Sequence, residues 1–268
     1  MFLTSWEATT GSQRGPSQII YNLFLMDTAR IAELLQPFLR DPNGQRPATN
    51  GLYQHISTYI DLLSRWNARI NLTAVRHPEE IVTRHFGESL FAACHLFPRS
   101  SSASSAANDV DLDVDSANDD RPTTNDGLET TDRLIDIGSG AGFPGLPIKL
   151  WLPRLHLTLI ESNQKKVTFL RELIRTLTLT DVDVFSGRAE TFSSTAAVVT
   201  LRAVERFEAA LPVASRLVSP HGRLALLIGQ AQVPRTRELT PGFHWQDPVP
   251  VPLSAARVLL IGARKDVC

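Results

Sequence analysis

The chain has few residues that would cross-link it or anchor it in a membrane. Only two of its 268 residues are cysteine, Cys94 and Cys268, and two distant cysteines provide neither a disulfide framework nor a cluster of metal ligands. No apolar run approaches the roughly 18–20 residues that a transmembrane helix needs. We therefore expect a cytoplasmic protein with no metal site and no membrane span.

The first residues lack the parts that would make them a secretory signal. Residues 19–25 are mostly apolar, but no basic region precedes a compact apolar stretch and no small-residue cleavage site follows it. A second methionine, Met26, leads directly into a helical pattern. We expect residues 1–26 to be a disordered tail, or a start codon placed too early.

The net charge is only −1, which looks unfavourable for a protein that binds a polyanion. The charge is segregated, however. Residues 100–132 hold nine acidic residues and one basic residue, so this segment carries −8 and the rest of the chain carries +7. The segment is rich in Ser, Ala, Asn, Asp and Thr, and we expect it to be a disordered acidic insert. The mildly basic remainder is compatible with a nucleic-acid substrate.

Residues 27–99 show helical periodicity and predict a small helical N-terminal subdomain. One apolar face, spaced by three or four residues, predicts an amphipathic helix with Asn50 as its N-cap; its members are Leu52, Ile56, Tyr59, Leu63, Trp66 and Ile70. Pro78 is suited to the first turn of a second helix, which would carry Ile81, His85, Ser89 and Leu90.

Residues 133–268 alternate between strand and helix patterns. Such alternation predicts an α/β fold, a Rossmann-like sheet of parallel strands that binds its ligand at the strands' carboxyl ends. The predicted strands are 133–138, 156–161, 183–185, 197–201 and 223–228, with a last strand, 258–263, at the sheet edge. The predicted helices are 144–150, 163–176 and 207–218.

A glycine-rich loop follows the first of these strands. The dinucleotide fingerprint needs a third glycine where this chain has Phe143, which argues against a diphosphate site. The spacing of Gly138, Gly140 and Gly142 is suited to S-adenosylmethionine. Backbone N–H groups could meet its carboxylate, and Asp136 could draw its ammonium group directly or through water. The alternative is a tight strand–helix turn without a ligand.

Glu161 closes the second predicted strand, 21 residues after Gly140. A carboxylate at this position can accept hydrogen bonds from both hydroxyls of a ribose. The alternative is an N-cap acid for the helix that follows, and the two roles can coexist. The glycine loop and Glu161 together favour a nucleoside cofactor, S-adenosylmethionine above others.

Several motifs in order resemble the RsmG family, also called GidB, of bacterial small-subunit rRNA guanine-N7 methyltransferases. They cover most of residues 27–98 and 133–230. The motifs are WNARINLTAV at 66–75, RHFGESL at 84–90, DIGSGAGFPG at 136–145, ESNQKKVTFL at 161–170, RAE at 188–190 and RA at 202–203.

This resemblance implies a class I S-adenosylmethionine-dependent methyltransferase acting on 16S rRNA or the small ribosomal subunit. We expect the protein to be a monomer. The implied cofactor contacts are Gly138, Phe143, Ala189, Glu190 and Arg202, to which the loop argument adds Gly140 and Glu161. Arg202 would position the reactants; the alternative is a solvated charge at a strand end. The candidates for RNA contact are Arg84, His85 and Lys165, although His85 could instead cap the domain interface.

The predicted reaction needs positioning more than a general base. Guanine N7 carries an in-plane lone pair, so no proton must leave before it attacks a methyl group. The chain has no Asn/Asp-Pro-Pro-aromatic motif after its fourth predicted strand, and no Pro-Cys nucleophile there.

Two departures from the family pattern keep other readings open. Ile228 stands where the family usually has lysine, and Leu201 stands where it usually has serine. One alternative is a methyltransferase for a small molecule or a protein. The other is a non-catalytic nucleotide-binding Rossmann protein.

Overall fold

The computed structural model describes residues 26–41, 44–45, 51–98, 133–202 and 206–265. The predicted acidic insert, residues 100–132, and residues 1–25 of the predicted tail lie outside the described residues. The domain boundaries drawn from the sequence therefore stay predictions.

Residues before the sheet are mainly helical, as predicted. The helices are α1 (Thr28–Leu35), α2 (Leu52–Asn67), α3 (Pro78–Ile81) and α4 (Glu88–Leu96), and two short strands pair as β1 (Arg40–Asp41) and β2 (Gly44–Gln45). A π-helical segment, Val82–Gly87, joins α3 to α4 without a break. Segments of this kind widen a helix by one residue and often occur at functional sites.

The apolar face predicted for α2 is confirmed, but two of its details are wrong. Leu52, Ile56, Tyr59 and Leu63 are buried. The N-cap is Gly51, at φ +84°, and not Asn50, which lies outside the described residues. Ile70 lies past the end of the helix, because the chain has already left α2 at Asn67.

The remaining residues form an eight-stranded sheet with helices between the strands. The strands are β3 (Arg133–Ile137), β4 (His156–Glu161), β5 (Val182–Ser186), β6 (Ala196–Arg202), β7 (Val218–Gly229), β8 (Phe243–Trp245), β9 (Val249–Pro250) and β10 (Arg257–Arg264). The helices are α5 (Gly145–Trp151), α6 (Gln164–Thr176), α7 (Phe207–Leu217) and α8 (Val233–Leu239).

The strand order is β5-β4-β3-β6-β7-β10-β8, with β9 also paired to β10. Strands β3 to β7 are parallel, whereas β10 runs antiparallel to β7 and to β8. The prediction that the last strand forms the sheet edge is wrong. It lies inside the sheet, because β8, only three residues long, pairs with its outer side.

The strand order reverses at β3, which has β4 on one side and β6 on the other. At such a switch point the helices leave in opposite directions and open a crevice at the strands' carboxyl ends. The glycine loop follows β3 directly, so the fold places it in that crevice.

Both faces of the sheet are covered. In β3 the side chains alternate, with Leu134 in the cluster that includes the N-terminal helices and Ile135 in the cluster under α7. Because the N-terminal helices share a hydrophobic core with this face, they also approach the glycine loop. In the parts of the chain that the structure describes, no helix is both long enough and apolar enough to cross a membrane.

Candidate functional site

The glycine loop adopts a backbone that requires glycine. Gly138, Gly140 and Gly142 have φ values of +67°, +57° and +93°, in the left-handed region that side chains disfavour. At Gly142 a Cβ atom would also collide with the Tyr59 hydroxyl and would lie 2.6 Å from Leu146 Cδ1. The loop is thus fixed by its sequence, and N-terminal helix α2 packs against it.

Asp136 stabilises the glycine loop from the protein interior. Its side chain is fully buried, and its carboxylate accepts hydrogen bonds from Thr200 Oγ1 at 2.8 Å and from the Gly145 N–H at 3.3 Å. Burial raises the pKa of Asp136 to about 6. The carboxylate does not line the cavity beside the loop, so the structure does not support direct contact with the ammonium group of a ligand there.

Glu161 joins the loop to the end of β4. Its Oε2 accepts from the Gly140 N–H at 2.9 Å, and its Oε1 accepts from the Asn163 N–H at 2.7 Å. The N-cap of α6 is Asn163, so the alternative role predicted for Glu161 belongs to its neighbour. Each carboxylate oxygen keeps a second lone pair, which two ribose hydroxyls could use.

A cavity of about 390 Å³ lies beside the loop. Its lining brings together six predicted site residues, Gly138, Gly140, Phe143, Arg202, Arg84 and His85. The cavity walls come from the glycine loop, from residues 72–75 and from the π-helical segment. A groove of similar volume, about 370 Å³, lies along β3, β4 and β5 and is lined by none of the predicted site residues.

Four predicted residues lie outside that lining: Glu161, whose contacts are given above, and Ala189, Glu190 and Lys165. Ala189 and Glu190 form a short 3-10 turn after β5, and their carbonyl groups accept from Arg216 Nη2 at 3.3 and 3.1 Å. The Gly187 N–H donates to the Glu161 carbonyl at 3.1 Å, so this turn begins next to Glu161. Lys165 is exposed, and its neighbour Lys166 lines the cavity instead.

An aromatic stack connects the N-terminal helices to the loop. Phe143 lies between Tyr59 and His85, with ring centroids 5.3 and 4.7 Å away and interplanar angles of 11° and 24°. The Tyr59 hydroxyl donates to the Ala141 carbonyl. Offset stacks of this kind contribute roughly 0.5–1.5 kcal/mol beyond their buried area, so the stack helps to fix the loop.

Arg202 ends β6 in a buried charge cluster. Its side chain is 5% exposed, and its Nη2 lies 3.0 Å from Glu88 Oε2, which Arg257 Nη2 approaches at 2.8 Å. Burial lowers the pKa of Arg202 to about 10, so it stays positively charged at neutral pH. The alternative reading, a solvated charge at a strand end, does not fit this environment.

His85 is held in one neutral tautomer by Arg202. Arg202 Nη2 donates to His85 Nδ1 at 3.0 Å and to the Arg84 carbonyl at 2.8 Å. Since a guanidinium group can only donate, Nδ1 must accept and the ring proton is on Nε2. Burial, reinforced by Arg202, Arg84 and Arg257, lowers the pKa of His85 to about 3. The histidine is therefore uncharged at neutral pH.

Three residues of the cluster around Arg202 and His85 are not among those predicted from the sequence, namely Glu88, Arg257 and Thr73. Glu88 stands inside the RHFGESL motif, and its position one helical turn after Arg84 was a usable signal. Thr73 stands inside the WNARINLTAV motif. Nothing in the sequence connects Arg257 to the site, because it enters only through the antiparallel insertion of β10.

The fold and the site define a class of protein. The sheet is doubly wound, and its antiparallel last strand is inserted between β7 and β8. A glycine loop lies at the switch point, and an acidic residue, Glu161, ends the next strand and binds that loop. These features are typical of a Rossmann-like, class I S-adenosylmethionine-dependent methyltransferase.

Comparison with known proteins identifies the family. A family model described as GidB, rRNA small subunit methyltransferase G, matches residues 52–110 and 124–246. A protein named ribosomal RNA small subunit methyltransferase G from Xylella fastidiosa (strain 9a5c) is 32% identical over 213 residues, covering 77% of this chain and 84% of the relative. A protein of the same name from Chloroflexus aggregans is 37% identical over 190 residues, covering 66% and 67%. This chain belongs to the GidB family.

Solved structures resemble the chain more distantly. TYW2 of P. horikoshii, in complex with MeSAdo, matches at 17% identity with a TM-score of 0.44, covering 50% of this chain and 58% of its own. A ribosomal protein L11 methylase from Lactobacillus delbrueckii subsp. bulgaricus matches at 13% identity with a TM-score of 0.43, covering 50% and 70%.

Proposed function

We propose that this chain transfers a methyl group from S-adenosylmethionine to N7 of a guanine in 16S rRNA, in the decoding region of the small subunit. The observation that carries the proposal is the nature of the cavity. Its described lining is rich in cations, namely Arg84, Lys166, Arg202 and Arg257, and its carboxylate, Glu80, is paired with Arg84 at 2.9 Å. Such a site attracts a polyanion and offers no free base, which N7 does not need.

The residues around the glycine loop fit the cofactor. Glu161 would hold the ribose, the turn at Ala189 and Glu190 would meet the adenine edge, and Gly138 and Gly140 would let the backbone approach the amino-acid end. Among hydrogen bonds within the described residues, the Ala141 N–H is the loop N–H without a partner, and we assign it to the cofactor carboxylate. When bound, S-adenosylmethionine supplies a methyl group on a sulfonium centre, ready for in-line attack.

The chain's own residues then position the two reactants. Arg202, fixed by Glu88 and by the Arg84 carbonyl, holds its charge at the end of β6, where cofactor and base would meet. Phe143, locked between Tyr59 and His85, limits the room on one side. A positioned reactant pair gains most of its rate from orientation, and this rigid cluster supplies it.

Contacts to the RNA would come from the cationic rim. Arg84 and Lys166 line the cavity, and Lys165 is exposed beside it. Contacts of this kind with phosphate groups make binding weaken as salt rises. We further propose that the protein acts as a monomer in the cytoplasm.

The experiment is methyl transfer in vitro. Small subunits and protein-free 16S rRNA from a strain lacking the gene are incubated with the protein and labelled S-adenosylmethionine, and the nucleosides are separated. Label in 7-methylguanosine supports the proposal. Comparison of the two substrates shows whether the enzyme acts on protein-free RNA or on the assembled subunit. Arg202→Ala should abolish labelling, while Arg235→Ala, in an exposed ion pair with Glu208, should not. Label in another nucleoside, or none, would overturn the proposal.

A further inference from the structure

The hydroxyl group of Thr73 has both of its acceptor positions in use. Its Oγ1 accepts from the Val75 N–H at 3.1 Å. It lies 2.7 Å from His85 Nε2, and the proton of the ring is on Nε2 because Arg202 occupies Nδ1. The histidine therefore donates and Thr73 accepts. A hydroxyl group has two lone pairs and one proton, so Thr73 can make one further hydrogen bond, and only as a donor.

The loop that carries Thr73 is held rigidly. The buried Asn67 accepts from the Leu72 and Thr73 N–H groups at 2.9 and 3.1 Å, and donates to the Thr73 carbonyl at 2.9 Å. All three bonds reach backbone atoms, so Asn67 holds the chain at Leu72 and Thr73 without using the Thr73 hydroxyl. The hydroxyl is thereby fixed in place before any ligand arrives.

The free donor belongs to the cavity. Thr73 is half-buried and lines the cavity together with His85, Arg202 and the glycine loop. Among the hydrogen bonds of the described residues, none gives its proton an acceptor. An obligatory donor in a preformed site selects a ligand that presents an acceptor there, and rejects one that presents another donor.

We propose that Thr73 recognises the base, by donating a hydrogen bond to O6 of the guanine whose N7 is methylated. This inference rests on the proposed function and adds the residue that selects the base. Guanine presents acceptors at both N7 and O6, whereas adenine presents an acceptor at N7 and an amino donor beside it. The same Thr73 proton that stabilises a bound guanine would face the amino group of adenine.

The test compares three variants on small subunits from a strain lacking the gene. Thr73→Val removes the donor, together with the acceptor that Val75 and His85 use, and Thr73→Ser keeps both. Thr168→Val is the matched control, since Thr168 is an exposed helical threonine whose hydroxyl bonds its own helix at Gln164. For each variant we would measure kcat and KM for the subunits, Kd for S-adenosylmethionine and the thermal unfolding midpoint.

We expect Thr73→Val to lower kcat about tenfold or more, the loss that accompanies one missing hydrogen bond in a site that leaves its partner unsatisfied. Its Kd for S-adenosylmethionine and its KM should match those of the unchanged protein. Its unfolding midpoint should fall, because valine leaves the Val75 and His85 N–H groups without their acceptor, so kcat is measured well below that midpoint. Thr73→Ser should restore the midpoint, and kcat to within about threefold.

Three results would overturn the assignment. Weaker binding of S-adenosylmethionine by Thr73→Val would mean that the donor serves the cofactor's carboxylate. A loss of kcat that only follows the fraction of protein unfolded at the assay temperature would mean a structural role alone. An unchanged kcat would mean that the donor meets no ligand. Failure of the proposed function is separate, because the unchanged protein would then form no 7-methylguanosine in the subunit.

Discussion

At the scale of single residues, Asp136 ties the stability of the protein to pH. Its folded pKa of about 6 exceeds the ordinary value of 3.8, so the folded state binds its proton more tightly than the unfolded chain does. The free energy of unfolding should therefore fall as pH rises from about 4 to about 6, by about 3 kcal/mol from this group.

Urea unfolding of the unchanged protein and Asp136→Asn between pH 4.5 and 7.5 would check this dependence. Asparagine does not titrate and keeps an acceptor for Thr200. The free energy of unfolding of Asp136→Asn, relative to that of the unchanged protein, should rise with pH and level off above about pH 6.5. Parallel curves across the range would show that Asp136 has an ordinary pKa.

Glu88 is the residue whose charge the buried cluster depends on most. Glu88→Gln would leave the buried Arg202 and the partly exposed Arg257 beside each other without their carboxylate. Breaking a buried pair in this way costs about 3–5 kcal/mol, and we expect that loss in the free energy of unfolding from denaturant titration.

Glu208→Gln is the control for Glu88→Gln. Glu208 pairs with Arg235 at 3.1 Å, but both side chains are more than half exposed, and exposed pairs contribute about 0–1 kcal/mol. Equal effects of the two substitutions would contradict the description of the Glu88 cluster as a buried, structurally required one.

At the scale of elements, the turn from β3 to α5 is the most sensitive to substitution. Gly142→Ala would place a Cβ against Tyr59 and Leu146 at a positive φ, which combines backbone strain of roughly 1–3 kcal/mol with overpacking of similar size. We expect a clear loss of stability and a weaker affinity for S-adenosylmethionine, measured by denaturant unfolding and calorimetry.

Gly242→Ala provides the comparison for that substitution. A Cβ at Gly242 would meet nothing within 4 Å, so this variant should unfold and bind as the unchanged protein does. If Gly142→Ala bound S-adenosylmethionine with unchanged affinity, the glycine loop would not form part of the cofactor-binding site.

The elements that the sequence predicted are those with strong local patterns. The parallel strands β3 to β6, the glycine loop and the apolar face of α2 all carry such patterns, and their bounds differ from the prediction by a residue or two. Strand β7 begins at Val218, directly after α7, and not at residue 223 as predicted. The prediction started too late because residues 218–222 include Pro220 and Gly222 and lack a strand pattern. The π-helical segment and the three-residue strand β8 have no periodic signal at all.

At the scale of the whole molecule, the site is assembled from parts far apart in the sequence. Arg202, His85 and Glu88 meet across more than a hundred residues, and local patterns do not specify such contacts. The motif resemblance could identify Arg202, His85 and Arg84 as members of the site. It could not show that Arg202 fixes the tautomer of His85, nor that Lys166 rather than Lys165 lines the cavity.

The distribution of charge over the molecule predicts how it binds RNA. If Lys166 contacts a phosphate group, Lys166→Ala should weaken subunit binding and lower the slope of log affinity against log salt by about 0.7–0.9. Filter binding between 50 and 200 mM salt would measure both quantities. Arg237→Ala is the control, since Arg237 is exposed on α8 and its Nη2 donates to the Gln246 carbonyl. Identical slopes of log affinity against log salt for both variants would show that Lys166 does not contact a phosphate group.

Guanine-N7 methylation of small-subunit rRNA can be tested by mapping the modified nucleotide in cells. Ribosomal RNA from a strain lacking the gene, and from the same strain carrying either the intact gene or Arg202→Ala, would be cleaved with borohydride and aniline at N7-methylguanine. We predict one cleavage site in the decoding region of 16S rRNA, present only with the intact gene. The same cleavage pattern in all three strains would contradict it.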